Sequence, residues 1–168
     1  MHIRFILLFA FMLTSIIMNG AKKVPFAGGW LTVTNVARNA VRIQYSDGST
    51  TQDPLPDWLY VRHDDLKKND VKVEVDAKNQ LVRIKNKKGK VVFTARKQEL
   101  QNGIATLSFD TPTDDYQFGL GQFQDGYSNV RGLPRRLTQV NTQISIPMLV
   151  SSKGYGLLWN NYGLTEFN

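Results

Sequence analysis

Apolar and polar residues alternate in short runs along most of this chain, and turn residues such as Asp47-Gly48 separate the runs. Nine runs have this character: residues 30–36, 40–45, 71–75, 81–85, 91–95, 104–109, 116–118, 144–150 and 155–159. A period of two predicts a β-strand in each. The longest helical segment that the pattern allows is one turn at residues 98–102, and residues 50–57 form an irregular connection. The pattern predicts an all-β domain, either a sandwich or a barrel.

The third, fourth and fifth of these strands follow one another closely enough to form a meander with one solvent-facing side. Val73, Val82 and Ile84 are at positions that would face a core. The intervening charged residues would face solvent: Lys72, Glu74, Arg83 and Lys85.

This meander also explains the basic character of the chain. The formal net charge is +7, from 21 Lys and Arg against 14 Asp and Glu. Twelve of the basic and five of the acidic residues lie between Arg62 and Lys97, so the whole excess is in that stretch. Aromatic residues do not alternate with these lysines as they do in proteins that bind single-stranded nucleic acid. We therefore expect a solvated strand face and no nucleic-acid partner.

Residues 1–21 have the pattern of a secretory signal peptide. A short basic start precedes an apolar run over residues 5–18, in which only Thr14 and Ser15 are polar, and Gly20-Ala21 follows. A membrane span needs about 20 apolar residues. We predict a signal peptide over residues 1–21, one domain over residues 22–168, no stable membrane span after cleavage, and export to the periplasm or the extracellular space.

The chain offers little catalytic or metal-binding chemistry. It has no cysteine and two histidines, which argues against thiolate zinc sites, cysteine nucleophiles and histidine-based metal sites, so no metal or cofactor is expected. The acidic pairs Asp64-Asp65 and Asp114-Asp115, and His63, are interpreted as solvated loop residues. Gly119-Leu120-Gly121 has no following helix, so its glycines are interpreted as a strand bend or a close backbone approach, not as a phosphate-binding loop.

The last third of the chain combines aromatic residues with planar amides. The amides are Gln122, Gln124, Asn129, Gln139, Asn141, Gln143, Asn160 and Asn161. Amide groups and aromatic rings recognise neutral polyhydroxylated ligands such as sugars. The composition alone is a weak indication of sugar binding, because amides in loops also serve to stabilise turns.

Ordered motifs in the same region carry a resemblance. They are Phe-Gly-Leu-Gly-Gln at residues 118–122, Arg-Gly at 131–132, Leu-Thr-Gln-Val-Asn-Thr at 137–142, and Ile-Pro-Met-Leu-Val-Ser-Ser-Lys-Gly-Tyr-Gly-Leu-Leu-Trp-Asn-Asn at 146–161. Together they resemble the amino-terminal β-sandwich domain of family 31 glycoside hydrolases, retaining enzymes of the α-glucosidase and α-xylosidase type. Gln122 stands where that family usually has a glutamate.

The resemblance implies an antiparallel β-sandwich of the supersandwich, galactose mutarotase-like class, packed against a catalytic (β/α)₈ barrel. The nucleophile and acid/base carboxylates of such enzymes belong to the barrel, which would begin beyond Asn168. We therefore expect no catalytic residue in this chain and no activity from it alone. Its expected role is to support the barrel and to contribute a loop to the rim of the site for an α-linked oligosaccharide or polysaccharide.

The resemblance also implies a substrate-contacting loop, onto which Gln139, Asn141 and Thr142 map, with Arg131 as a neighbouring candidate. The competing interpretation is that Asn141 and Thr142 form hydrogen bonds locally within a turn. Two other functions stay open: a stand-alone secreted carbohydrate-binding module, which a surface cluster of tryptophans would favour, and a basic surface-binding protein that uses residues 62–97.

Overall fold

A computed structural model describes residues 16–18, 22–48, 69–161 and 163–168, and it contains strands and turns throughout those ranges. The strands in chain order are β1 (Ile16–Met18), β2 (Lys22–Phe26), β3 (Gly29–Ala37), β4 (Ala40–Ser46), β5 (Lys72–Asp76), β6 (Leu81–Lys85), β7 (Val91–Gln101), β8 (Ile104–Phe109), β9 (Gln117–Gln122), β10 (Arg135–Leu137), β11 (Ile144–Ser151), β12 (Tyr155–Leu158) and β13 (Thr165–Phe167). Within these ranges no helix is long and apolar enough to cross a membrane.

The strands form four antiparallel sheets. The largest has the order β1-β5-β6-β7-β8, and the others are β2-β3-β4, β12-β11-β9 and β10-β13. All nine predicted strands are present, as β3 to β9, β11 and β12. The single helical turn that the pattern allowed at residues 98–102 does not form, because β7 continues to Gln101 and pairs there with Ile104. The predicted connection at residues 50–57 lies outside the described residues, as do His63 and Asp64-Asp65.

Two apolar clusters hold the sheets together. The larger is formed by β2, β3, β5, β6 and β7, through Val24, Phe26, Leu31, Val33, Val73, Val75, Val82, Phe93 and Ala95. The smaller consists of Leu120, Val130, Leu137 and Leu149. Phe109 and Leu157 pack against both clusters and so connect them. Face-to-face packing of antiparallel sheets over a shared core confirms the predicted sandwich.

The solvent-facing side of the meander carries a compact ionic group, as the alternation predicted. Val73, Val75 and Val82 are buried, while Glu74 lies between Arg83 and Lys85 on the opposite face. The Glu74 carboxylate accepts a hydrogen bond from Lys85 Nζ and one of 3.1 Å from Arg83 Nη1. The Lys85 ammonium, followed by the Arg83 guanidinium, lowers the pKa of Glu74 despite an opposing effect of burial.

This lowered pKa predicts a pH-dependent contribution to stability. A carboxyl whose pKa is lower in the folded state stabilises the protein above its unfolded pKa, and that contribution is lost as the pH falls through the folded value. We expect Glu74→Gln to reduce the free energy of unfolding by about 1 kcal/mol at pH 7 and by almost nothing at pH 3. Urea unfolding at both pH values measures this. Glu99→Gln, which removes an exposed partner of Lys97, is the control, and an equal Glu74→Gln loss at both pH values would contradict the prediction.

Strand β1 lies inside the stretch interpreted as a signal peptide. Its Ile16 pairs with Val75 and its Met18 with Val73, at the outer edge of β5. Strand β2 begins at Lys22, the first residue after the expected cleavage position. Cleavage after Ala21 would therefore remove β1 and leave β5 as an edge strand. The signal peptide and the domain bounds stay predictions.

Candidate functional site

The loop between β10 and β11 carries three of the four predicted site residues. Val140 and Gln143 form an isolated antiparallel bridge, in which the two N–H···O distances are both 3.2 Å. Asn141 and Thr142 are the two residues that connect this bridge, so they form the tip of a tight turn. Both are exposed.

Side chains at the base of this loop hold it to β11. The Gln143 Nε2 donates to the carbonyl oxygen of Thr138 at 2.8 Å, and the Ser145 Oγ donates to the same oxygen at 2.6 Å. Two donors on one carbonyl oxygen fix the start of the loop relative to its end. The position of the tip is therefore determined by the sheet and not by the turn alone.

Polar side chains occupy the tip of the loop and its approach from β10. Among the residues that the structure describes, no hydrogen-bond partner contacts the side chain of Gln139, Asn141 or Thr142. The competing interpretation was that Asn141 and Thr142 form hydrogen bonds locally within the turn; among the described residues, the bonds that close the turn join the backbones of Val140 and Gln143. Their amide and hydroxyl groups can donate and accept hydrogen bonds without titrating near neutral pH, which suits sugar hydroxyls.

A small cleft of about 180 Å³ lies beside the loop, and Gln139 lines it. The other lining residues are Leu137, Ser145, Pro147, Asn161, Gly163 and Thr165. Asn161 is held in place, since its Nδ2 donates to Thr165 Oγ1 at 3.3 Å and its Oδ1 accepts from Gly163 N at 3.1 Å. Asn161 is one of the amides of the last third of the chain, and the tertiary structure brings it into the same cleft as Gln139.

Arg131 is directed elsewhere. Its Nη2 donates to the carbonyl oxygen of Thr111 at 3.4 Å, and its Nε is buried without a partner among the described residues. The backbone N–H of Arg131 donates to Asn129 Oδ1, which also accepts from Gln117 N. The structure thus places the Arg131 side chain against the segment before β9, apart from the loop tip, and its role in substrate binding stays a prediction.

Close backbone contact between β9 and β11 positions the end of the loop. Gly119 and Gly121 have φ values of +112° and +108°. A Cβ atom on Gly121 would lie 2.0 Å from the carbonyl oxygen of Ile144, and one on Gly119 would lie 2.3 Å from that of Met148. This confirms the interpretation of these glycines as a close backbone approach. Gly121 pairs with Ser145, the residue that braces the loop.

The outer face of the β9-β11-β12 sheet is apolar and open. Its exposed hydrophobic residues are Phe118, Ile144, Ile146, Val150 and Leu158. Three of them, Ile144, Ile146 and Val150, line a shallow depression of about 350 Å³ between β9 and β11. We call these five residues the apolar face. Contiguous exposed apolar surface of this kind marks a contact with another protein surface.

The pair Asp114-Asp115 differs from its prediction as a solvated cluster. Asp114 is exposed, but Asp115 is buried, and its Oδ1 accepts hydrogen bonds from Ser151 Oγ at 2.6 Å and Ser152 Oγ at 3.1 Å. Sequence reasoning missed this because the two serines lie in a distant strand and turn. Asp115 therefore joins the start of β9 to the end of β11.

Across the described ranges, no three acidic or histidine side chains lie together as a metal site.

Residues 41–168 match the family described as the glycosyl hydrolase 31 N-terminal galactose mutarotase-like domain. The chain belongs to this family. The antiparallel sheets described above agree with the galactose mutarotase-like class, as the resemblance predicted.

Named relatives of this family 31 domain are glycosidases. The chain is 33% identical over 107 residues to an α-xylosidase of Saccharolobus solfataricus, which is 55% of this chain and 15% of the relative. It is 39% identical over 61 residues to an uncharacterized family 31 glucosidase of Pseudescherichia vulneris, which is 36% of this chain and 12% of the relative. The matches thus span less than a sixth of the length of these curated relatives.

Solved structures agree with the fold of this family 31 domain. The α-xylosidase of Xanthomonas citri superposes with a TM-score of 0.71 at 23% identity, covering 89% of this chain and 19% of that one. A dextranase of Flavobacterium johnsoniae gives 0.67 at 21% identity, covering 92% of this chain and 23% of that one. In both, this fold forms one part of a much longer chain.

Among the described residues, the tryptophans of this family 31 domain do not form a surface cluster, which would favour a stand-alone carbohydrate-binding module. Trp30, on β3, is exposed, whereas Trp159 follows β12 and is partly buried. The Lys23 ammonium lies 4.8 Å from the centroid of the Trp30 ring. One face of this indole is thereby occupied, which leaves less of it for stacking on a sugar.

Proposed function

We propose that this chain is the non-catalytic amino-terminal domain of an exported retaining α-glycosidase of the α-xylosidase or α-glucosidase type. Its partner would be a (β/α)₈ catalytic domain, and the substrate an α-linked oligosaccharide or polysaccharide. A retaining reaction needs two carboxyl groups about 5 Å apart across the sugar. In this proposal the catalytic domain supplies both carboxyl groups, and the present chain supplies packing and a loop.

The observation that carries the proposal is the braced loop with unengaged polar side chains at its tip. Ordering an exposed loop costs conformational entropy, which the hydrogen bonds of Gln143 and Ser145 to Thr138 offset. A tip held in advance loses little entropy on binding sugar. Asn141 and Thr142 would then orient hydroxyls of the substrate at the rim of the catalytic site, with Gln139 beside them.

The apolar face supports the packing part of the proposal. Five large hydrophobic side chains exposed on one sheet would be covered by the catalytic domain. Burial of apolar surface is the main favourable contribution to most protein–protein association. The face includes Ile144, the residue that follows the loop directly, so a surface packed on this face would also lie near the loop.

Exposure of this face predicts that the isolated chain self-associates. Val150→Ser and Leu158→Ser together should lower the apparent mass in sedimentation or light scattering, because they remove apolar contact area from the apolar face. Thr106→Ser and Ser108→Thr, at exposed positions of β8, form the matched control and should leave the mass unchanged. A wild-type chain that is monomeric at high concentration would contradict this prediction.

Activity measurements test the proposal directly. The purified chain should hydrolyse neither aryl α-xylosides nor aryl α-glucosides, because the carboxyl pair is expected elsewhere. A chimera that joins this chain to the catalytic part of the Xanthomonas citri α-xylosidase, in place of that enzyme's own amino-terminal domain, should be active. Turnover by the chain alone would overturn the proposal, and so would a folded chimera without activity.

A further inference from the structure

Five cations from three separate turns gather at one end of the molecule. Arg38 belongs to the β3–β4 turn, three lysines to the β6–β7 turn, and Lys153 to the β11–β12 turn. We call this group the basic rim, and it consists of Arg38, Lys87, Lys88, Lys90 and Lys153. The three lysines of the β6–β7 turn belong to the basic stretch between Arg62 and Lys97, for which the sequence predicts a solvated surface. The structure adds two cations that are distant from them in sequence.

Acidic residues link the turns without neutralising them. Asp70 contacts both Arg38, with Nε–Oδ2 at 3.0 Å, and Lys87, with Nζ–Oδ1 at 3.8 Å. Lys153 Nζ lies 2.5 Å from Asp114 Oδ2, and Lys153 lowers the pKa of Asp114 with a smaller contribution from Lys90. Among the described residues, two carboxylates thus pair with this group of five cations, which therefore carries a net positive charge.

The turn that carries the three lysines is rigid. Asn86 Oδ1 accepts hydrogen bonds from the backbone N–H groups of Lys88 at 3.0 Å and Lys90 at 3.1 Å. The Asn86 and Lys90 backbones are joined by a further bond of 2.9 Å, and Gly89 supplies the positive φ of +80° that the turn needs. The backbone positions of the lysines are therefore fixed before any ligand binds.

The basic rim is separate from the candidate sugar-binding loop. Lys153 follows the last residue of β11, whereas Asn141 and Thr142 precede its first residue. Eight extended residues span about 25 Å. The basic rim and the tip of the β10–β11 loop are therefore formed by different residues at opposite ends of β11.

The composition of the basic rim selects among anionic partners. Four of the five cations are lysines, which act as point charges and give bidentate recognition of neither carboxylate nor phosphate. Residues 86–90 include no aromatic side chain on which a base could stack. Duplex DNA carries one charge per about 1.7 Å, so Asp70 and Asp114 would oppose it strongly. A polyuronate carries one carboxylate per sugar and tolerates interspersed acidic residues.

From these observations we propose that the basic rim binds carboxylated polysaccharide at a site distinct from the sugar-binding loop. Such a contact would hold the protein on an acidic glycan matrix. It depends on ionic contacts only, so increasing salt should weaken it.

Binding of the full chain to polygalacturonate at low ionic strength tests this proposal, with neutral dextran as the reference polymer. We expect the triple variant Lys87→Gln, Lys88→Gln, Lys90→Gln to bind about tenfold more weakly than the wild type. The matched control is Lys23→Gln, Lys78→Gln, Lys97→Gln, which removes the same charge away from the rim and should change the affinity less than about twofold. The triple variant Lys87→Arg, Lys88→Arg, Lys90→Arg should preserve binding.

Equal losses in the rim and control variants would overturn the proposal, because net charge alone would then explain binding. Absence of binding to polygalacturonate by the wild type would also overturn it. Duplex DNA and vesicles containing phosphatidylserine serve as competing ligands. If either of these ligands binds more tightly than polygalacturonate, and the rim variant loses that binding, then that ligand and not the polysaccharide is the partner.

Discussion

Replacing Gly121 with alanine is expected to lower the free energy of unfolding by about 3 kcal/mol or more, enough to unfold much of the protein. The added Cβ would lie 2.0 Å from the carbonyl oxygen of Ile144, and backbone atoms cannot yield as a flexible side chain can. The φ of +108° adds strain for any residue with a Cβ. Equilibrium denaturation measures the loss.

Gly126→Ala separates the steric effect from the backbone strain. Gly126 also has a positive φ, +76°, but a Cβ there would meet no atom within 4 Å. This control should cost about 1 kcal/mol. Equal losses in the two variants would contradict the close approach of β9 to β11, and with it the account of how the loop is positioned.

The double substitution Asn141→Ala, Thr142→Ala is expected to lower kcat/KM of the chimeric α-xylosidase about tenfold. Each lost hydrogen bond to substrate is worth about 0.5–1.5 kcal/mol, and two together correspond to roughly one order of magnitude. Neither side chain has a partner among the described residues, so folding should be unaffected. Initial rates on an aryl α-xyloside measure the effect.

Thr113→Ala is the matched control for this double variant, because Thr113 is an exposed threonine in another turn. It should leave kcat/KM unchanged. A double variant with the same kcat/KM as the wild-type chimera would show that the loop tip does not contact substrate. A lower melting temperature of the double variant, together with its lower kcat/KM, would point to a structural role instead.

Much of the fold could be predicted from sequence because half-buried strands have a period of two. Val73 and Val75 alternate with Glu74, and this determined both the strand and its buried face. Strands β10 and β13 have three residues each, too few for a period to appear. Strand β2 contains Pro25, which is tolerated because β2 is an edge strand.

The candidate site could be predicted only in part. Motif order identified the loop residues Asn141 and Thr142, but their braced geometry depends on the contacts of Ser145 and Gln143 with Thr138. The cleft that joins Gln139 to Asn161 depends on tertiary pairing across more than 20 residues, which no local pattern encodes. The direction of the Arg131 side chain and the burial of Asp115 could not be predicted for the same reason, since their hydrogen-bond partners are distant in sequence.

Photo-cross-linking of a diazirine-bearing α-xyloside in the active chimera tests the central claim most directly. The claim is that this domain presents the tip of the β10–β11 loop to a sugar bound in the catalytic domain. Mass spectrometry of the labelled protein should identify the peptide that contains Asn141 and Thr142, and excess unlabelled xylose should suppress that labelling. Labelling confined to peptides of the catalytic domain would contradict the claim.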